Sequence, residues 1–213
     1  SSTQLRLPSQ LLKARSRKLP IFILGGGTNL LIHDDGFEGL VIKPDFRFIQ
    51  QAETLVTVGV GLPIAELLDF CAARGLAGLE WAGGLPGTVG GAIRGNAGAF
   101  KGEIKDSVVN VVSLRFGDLP NPKIMKRNRA ECAFGYRDSI FKQENGQEII
   151  MAVTLQLQRG EPEAIRESIN GKILWRQEKQ PLDYPNIGSI FKNVDWQLVP
   201  KKWQEDEAIK KHL

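Results

Sequence analysis

Residues 83–100, GGLPGTVGGAIRGNAGAF, restrict what this chain can fold into more than any other stretch. Glycine recurs there so often that apolar side chains carry neither the 3.6-residue period of a helix nor the two-residue period of a strand, so the segment reads as irregular backbone. Fixing glycine-rich chain costs more conformational entropy than fixing any other. The usual compensation is close approach of the main chain to a bulky ligand. A flexible linker is the alternative, but linkers are polar and serine-rich, whereas Leu85, Val89, Ile93 and Phe100 lie inside this run and Trp81 just before it. A second cluster, LGGGTNLLI at residues 24–32, comes directly after the apolar Ile21, Phe22 and Ile23. Glycines at the end of a strand let several backbone N–H groups turn into one concavity, and in the set Gly25, Gly26, Gly27, Thr28 and Asn29 a hydroxyl and a side-chain amide join them. That arrangement suits a phosphate. A tight turn between two strands is the other reading of three glycines taken alone.

The remainder of the chain has the composition to build a core. Of its 213 residues, 42% are hydrophobic and 24% charged, which fits a globular protein of one or two domains. No apolar run reaches the roughly 18–20 residues that span a bilayer, and no charged and apolar leader opens the sequence, so no membrane partner is expected. The net charge of +4 permits an anionic ligand. Its Lys and Arg residues are dispersed and not interleaved with aromatics, which argues against nucleic acid. Cys71, Cys132, His33 and His212 stand at no metal-ligand spacing, so no metal is expected, and two unpatterned cysteines fit a reducing compartment.

Apolar or β-branched runs predict strands over residues 19–24, 40–42, 54–60, 107–114 and 148–158. The first two read as strand, turn, strand. The last alternates Ile149, Met151, Val153, Leu155 and Leu157 against Thr154, Gln156 and Gln158, as a half-buried strand closing a sheet does. Pro63, Ile64, Leu67, Leu68 and Cys71 predict a helix beginning at the proline and stopped by Gly75, without chemistry of its own. Pro162 opens a second helix in which Ile165, Ile169 and Ile173 recur every fourth residue, ending near Lys179. Residues 1–17 show no clear period. Residues 117–129, with Pro120, Pro122, Lys123, Lys126, Arg127 and Arg129, read as an exposed basic loop, and residues 201–207 as solvated helix or loop. Gly160, Glu161 and Pro162 mark the best domain boundary.

Four motifs stand in order along the chain: GGGTNLL at 25–31, PGTVGGAIRGNAGAF at 86–100, FGYRDSIF at 134–141 and NIGSIFKN at 186–193. Their order and spacing resemble those of the UDP-N-acetylenolpyruvoylglucosamine reductase family, flavoenzymes of bacterial peptidoglycan precursor synthesis, in the short form without the extra substrate loop. The resemblance covers residues 19–193. It implies an α+β chain: an FAD-binding fold of the vanillyl-alcohol-oxidase type in two α+β subdomains, residues 1–52 and 53–160, followed by a smaller α+β substrate domain, residues 161–213. It also implies bound FAD, NADPH as a diffusing reductant, a small-molecule nucleotide-sugar substrate, and a monomer in the cytoplasm. The family has an IGG-like turn before the first motif and a catalytic glutamate beyond the last. Neither has a counterpart here, and the surroundings of Glu205 and Glu207 do not match the glutamate's motif.

By the same resemblance Gly25, Gly26, Gly27, Thr28, Asn29 and Leu30 take the FAD pyrophosphate, while Gly87, Thr88, Gly91, Asn96, Ala97 and Gly98 lie along the flavin and ribityl chain. These glycines do not follow the G-x-G-x-x-G spacing of a Rossmann turn. The implied reaction adds hydride to the terminal carbon of an enolpyruvyl ether and a proton to its neighbour, so it needs a cation beside the carboxylate and a proton donor near the carbon. Arg137, expected just before a strand, matches the family's catalytic arginine in its YRDS setting; residue type alone favours a surface salt bridge with Asp138 or a neighbouring carboxylate. Ser189 matches the proton donor, although Gly188 and Ser189 alone read as a turn. Lys192 and Asn193 are assigned to the substrate's diphosphate or sugar, and Arg176 and Tyr136 to substrate contact. An oxidase on the same flavin fold is the alternative function, and a nucleotide-binding module without turnover is the third.

Overall fold

The computed structural model describes residues 9–116, 122–144, 146–184, 186–189, 191–194 and 196–207. Residues 1–8, Pro120, Pro185, Ile190 and His212 lie outside the described residues.

The chain opens with helix α1 (Ser9–Ser16), in a stretch without legible period, which buries Leu11 and Ala14. Strands β1 (Ile21–Ile23) and β2 (Leu40–Ile42) pair in parallel, with Ile21 opposite Leu40. Parallel strands need a crossover, so the expected simple turn between them is replaced by a long irregular connection. Leu31 and Ile32 lie exposed in it. Next along the chain are β3 (Ile49–Ala52), β4 (Leu55–Gly59), α2 (Ile64–Ala73), β5 (Leu76–Ala77), α3 (Val89–Gly95), β6 (Gly98–Ala99) and β7 (Gly102–Glu103). Then come β8 (Val108–Arg115), β9 (Lys123–Asn128), α4 (Ile140–Gln143), β10 (Glu148–Gln156), β11 (Gln158–Arg159), α5 (Pro162–Lys179) and the exposed α6 (Lys201–Gln204).

The main sheet is antiparallel in the order β3-β4-β10-β8-β9. Strand β10, expected to close a sheet, lies at its centre, and the simple alternation read from its sequence fails at one point. Its pairing with β8 slips between Ile150 and Ala152. Such a bulge inserts one residue and changes which face each side chain takes. Ile150, Val153 and Leu155 therefore share the main core, Met151 is only half-buried, and Ile149 packs with Leu11 and Phe116 in a smaller cluster. Strand β9 comes from the polar stretch expected to be a loop. It is an edge strand whose lysines face solvent, a composition that discourages pairing with another chain.

Helix α2 buries Ile64, Leu67, Leu68, Cys71 and Ala72, each large aliphatic side chain contributing about 1.5–3 kcal/mol. It begins at Ile64, with Pro63 as the residue before it, and ends ahead of Gly75 at φ 61°. Helix α5 lies just past the expected boundary, yet Ile165 and Ile169 belong to the same cluster as Val56 and Val153. Cys71 and Cys132 are free and buried, and burial pushes their thiols up to about 12 and about 11.

One buried charge ties three strands together. The Glu148 carboxylate on β10 accepts hydrogen bonds from Arg127 Nη1 and Nη2 on β9, both at 2.7 Å, and from Ser113 Oγ (2.9 Å) and Arg115 Nη1 (3.1 Å) on β8. Burial alone would push this carboxyl up; the bonds from Arg127, Ser113 and Arg115 more than offset that and hold it below the usual carboxylate range. Among the described residues no helix is long and apolar enough to cross a membrane, and no group of three or more His, Cys, Asp or Glu side chains could hold a metal ion.

Candidate functional site

The two glycine-rich segments, far apart in sequence, meet face to face. A Cβ on Gly26 would stand 2.8 Å from the Cα of Gly87, and one on Gly25 would stand 3.0 Å from Thr88 Oγ1. Gly87, at φ 101°, has Thr28 Oγ1 in the place of its missing side chain, 2.9 Å from an added Cβ. Absence of side chains is thus what lets these two backbones touch. Thr88 caps α3, its hydroxyl accepting from Gly91 N at 3.4 Å.

The amides of Gly25 through Asn29 make no hydrogen bond to the described residues, residues 26–29 are exposed, and Thr28 and Asn29 form a turn. These amides are free to bind an external oxygen. Beside them opens a cleft of about 500 Å³, part of it open to solvent, walled by Ile23, Leu24, Val60, Phe141 and Ile150 with Gly25, Thr88, Gly91, Arg94 and Glu148 among its polar members. Free amides next to apolar walls fit a dinucleotide, whose phosphates are anionic and whose rings are planar and apolar.

The second segment changes character at Asn96. This residue ends α3 in the left-handed conformation, φ 41°, and is fully buried. Its Nδ2 donates to Gly135 O (2.8 Å) and Glu103 Oε2 (3.2 Å), and its Oδ1 accepts from Lys105 N (3.3 Å). Ala97 donates from its own N–H to Ala92 O and accepts from Ile104 N. Both residues spend their polar groups on the protein. Gly98 opens a hairpin in which β6 and β7 are joined by Phe100 and Lys101, at φ 48° and 66°. Of the expected cofactor contacts, Gly25, Thr88 and Gly91 line the cleft, Gly26 and Gly87 meet beside it, and Asn96, Ala97 and Gly98 belong to this hydrogen-bonded web.

Arg137 belongs to the same web. It sits at the tip of a tight turn closed by hydrogen bonds between Gly135 and Asp138 in both directions, at φ 55°. The turn leads into the single-turn helix α4 and not into the expected strand. Arg137 Nη2 donates to Gly98 O (2.5 Å) and Nη1 to Asn96 O (3.3 Å), and the guanidinium carbon lies 5.0 Å from the centre of the Tyr136 ring. Its ionic partner is Glu103, Oε1 at 3.7 Å, and not Asp138. Asp138 accepts from Gln143 Nε2, and that bond above all holds its carboxyl below the usual range, with Lys192 adding to the effect. Two further bonds fasten the turn: Ser139 Oγ donates to Arg94 O (2.6 Å) and Lys142 Nζ to Arg137 O (2.8 Å).

The later motif reaches this turn. Asn193 N donates to Tyr136 Oη at 3.4 Å, and Lys192 is near enough to act on Asp138. Ser189 is exposed, and among the described residues it has no hydrogen bond to Arg137. Arg176, on α5, donates from Nε to Gly83 O (2.9 Å) and lies over the Phe100 ring at 5.4 Å; burial pulls its pKa down. Sequence reasoning missed Glu103 because its only advance signal was Gly102, which with Ala99 flanks the two-residue hairpin turn Phe100-Lys101. Phe and Lys at that turn hide it, since Asn-Gly is the usual signature.

Residues 8–126 match the FAD binding domain family. The chain is 38% identical to the UDP-N-acetylenolpyruvoylglucosamine reductase of Caldanaerobacter subterraneus subsp. tengcongensis, over 84% of this chain and 57% of that protein. It is 42% identical to the reductase of that name from Moorella thermoacetica, over 84% of this chain and 58% of the relative. Among solved structures it resembles the crystal structure of UDP-N-acetylenolpyruvylglucosamine reductase from Thermus caldophilus, with a TM-score of 0.67, 30% identity, and coverage of 87% of this chain and 65% of that one. The chain spans about three-fifths of the length of the curated relatives it matches.

Proposed function

The chain belongs to the FAD binding domain family, and from that premise we propose that it is the flavin-holding part of a UDP-N-acetylenolpyruvoylglucosamine reductase. Its fold is the α+β FAD-binding fold of the vanillyl-alcohol-oxidase type. The observation that carries the proposal is the fastening of Arg137, in its strained turn, to the same glycine-rich segment that meets the phosphate-type loop at Gly87. A permanent cation is thereby held on the scaffold that holds the cofactor cleft.

FAD, when bound, supplies two-electron hydride chemistry, and NADPH is the diffusing reductant in this reading. Gly25 to Asn29 would hold the FAD pyrophosphate through their amides, with Leu30 beside them and Thr88 and Gly91 opposite. Arg137 presents its planar fork to the enolpyruvyl carboxylate, where negative charge builds as hydride arrives. Ser189 gives its proton to the neighbouring carbon, and its exposure in the described chain means that substrate must bring it inward. Lys192 and Asn193 grip the diphosphate or sugar, Tyr136 packs beside them, and Arg176 steadies the substrate from α5. The product is UDP-N-acetylmuramate. The division into residues 1–52, 53–160 and 161–213 is part of the proposal, with α5 acting as the link that docks the third unit on the second. We place the protein in the cytoplasm as a monomer, without nucleic-acid, membrane or metal partners.

Anaerobic reoxidation tests this. Flavin reduced in the bound state is mixed with UDP-N-acetylenolpyruvoylglucosamine and the oxidised spectrum is followed. Prompt recovery, lost in Arg137→Ala with the yellow colour kept, is the expected result. Recovery only on admission of oxygen would favour an oxidase and overturn the assignment.

A further inference from the structure

We propose that Glu103 is the positioning residue for Arg137, the group that fixes where the guanidinium of the YRDS turn points. The proposal rests on the reductase reading for the chemistry Arg137 performs. The hairpin sets Glu103 directly across from Gly98, whose carbonyl accepts from Arg137. A Cβ at Gly98 would come within 2.7 Å of Glu103 Cγ and 3.0 Å of Arg137 Nη1. Glycine at 98 therefore lets carboxylate and guanidinium share one face.

The carboxylate is itself held. Its Oε2 accepts from Asn96 Nδ2 (3.2 Å) and pairs with Lys105, its carboxylate also caps the helical turn Ile104–Asp106 by accepting from Asp106 N, and its Oε1 stands 3.7 Å from Arg137 Nη1. The Glu103 side chain is 21% exposed and that of Arg137 37%. At that distance and exposure the pair contributes little to stability, so its consequence is geometric. A guanidinium has five N–H donors; carbonyls of Asn96 and Gly98 and the charge of Glu103 hold its inner side, and its outer side is left to meet a carboxylate. Asn96, Phe100, Lys101 and Arg137 all have positive φ within this one web. Strain gathered at one place is a mark of a functional arrangement and not of packing alone.

The test uses the FAD-loaded chain. Glu103→Gln keeps an acceptor for Asn96 and removes the charge. Flavin content and the rate of flavin reduction by NADPH are expected to stay within about twofold, while reoxidation by the enolpyruvyl substrate slows roughly tenfold to a hundredfold, with Glu103→Asp in between. Equal losses in both half-reactions, or none in either, would overturn the proposal. A readout independent of turnover is the Arg137 Nε–H resonance, assigned by its disappearance in Arg137→Lys. It should be sharp and dispersed in the unaltered chain and collapse into the exposed-arginine envelope in Glu103→Gln. A peak unmoved by that substitution sinks the positioning role even if the reductase reading stands. A peak that collapses in Glu103→Gln, where the unaltered chain itself fails to reoxidise with substrate, sinks the reductase reading and leaves the positioning role intact.

Discussion

The two glycine-rich segments have similar composition and opposite physics. In residues 25–29 the amides make no hydrogen bond to the described residues and most of the segment is exposed, so what the sequence saves in side chains it offers to a ligand. In residues 90–98 the backbone is consumed internally: Gly90 donates to Val60 O, Asn96 to Ile93 O, Ala97 to Ala92 O, and Gly98 O accepts from Arg137. There the glycines admit neighbours. A Cβ at Gly90 would lie 2.9 Å from Val60 Cβ, and one at Gly102 would lie 2.5 Å from the Trp81 ring. Glycine content thus reports close approach, and only the pattern of hydrogen bonds says whether the thing approached is ligand or protein.

Substitutions can separate the two kinds of glycine, and Glu148 supplies the benchmark because it both ties the sheet and lines the cleft. Glu148→Ala leaves the Arg127 side chain, 12% exposed, without its carboxylate, while Arg115 keeps Glu144, and should cost about 3 kcal/mol in chemical denaturation, with FAD binding falling alongside. The pH dependence has a definite sign. A carboxyl held low in the folded state contributes stability that is complete above its unfolded pKa, about 4.3, and is lost as pH falls through the lower folded value. The melting temperature should therefore drop more steeply below about pH 4.3 in the unaltered chain than in Glu148→Gln. Parallel curves would remove Glu148 from the account.

Gly98→Ala comes next, with a cost of about 1–3 kcal/mol from overpacking against Glu103 and the Gly102 carbonyl, measured on the FAD-free protein. Gly26→Ala carries a similar overlap, its Cβ 2.8 Å from the Gly87 Cα, and should also cost about 1–3 kcal/mol in the FAD-free protein, but it alone weakens FAD beyond that, about tenfold in a fluorescence titration. If Gly98→Ala weakened FAD as much, the division between the segments would fail. The smallest effect is expected at Lys101→Gly, where a left-handed position receives the residue that tolerates it; a gain of about 1 kcal/mol should appear in thermal melts.

Much of this was legible in the sequence, for identifiable reasons. Helix α5 was readable from Pro162 and the spacing of Ile165, Ile169 and Ile173, because helical period and a starting proline act locally. The glycine turn after β1 was legible as irregular backbone with exposed amides, since strand end and glycines are adjacent in the chain. The features that escaped depended on partners distant in sequence. The bulge in β10 is set by its pairing with β8, so Met151 and Ile150 exchanged roles. The polar stretch at β9 became a strand because β8 offered it an edge and Glu148 offered Arg127 a buried partner. Asn96 was legible as important, but its place in a web joining α3, the hairpin and the Arg137 turn depends on residues up to 41 positions away.

The central claim, that the first glycine segment keeps its amides open for FAD while the second spends its own on the protein, is tested most directly by amide hydrogen exchange with and without FAD. The amides of Gly25 to Asn29 should exchange quickly in the FAD-free chain and become strongly protected when FAD binds, whereas those of Gly90, Asn96 and Ala97 should be protected in both. Fast exchange at residues 25–29 in a protein that visibly holds flavin would contradict the account.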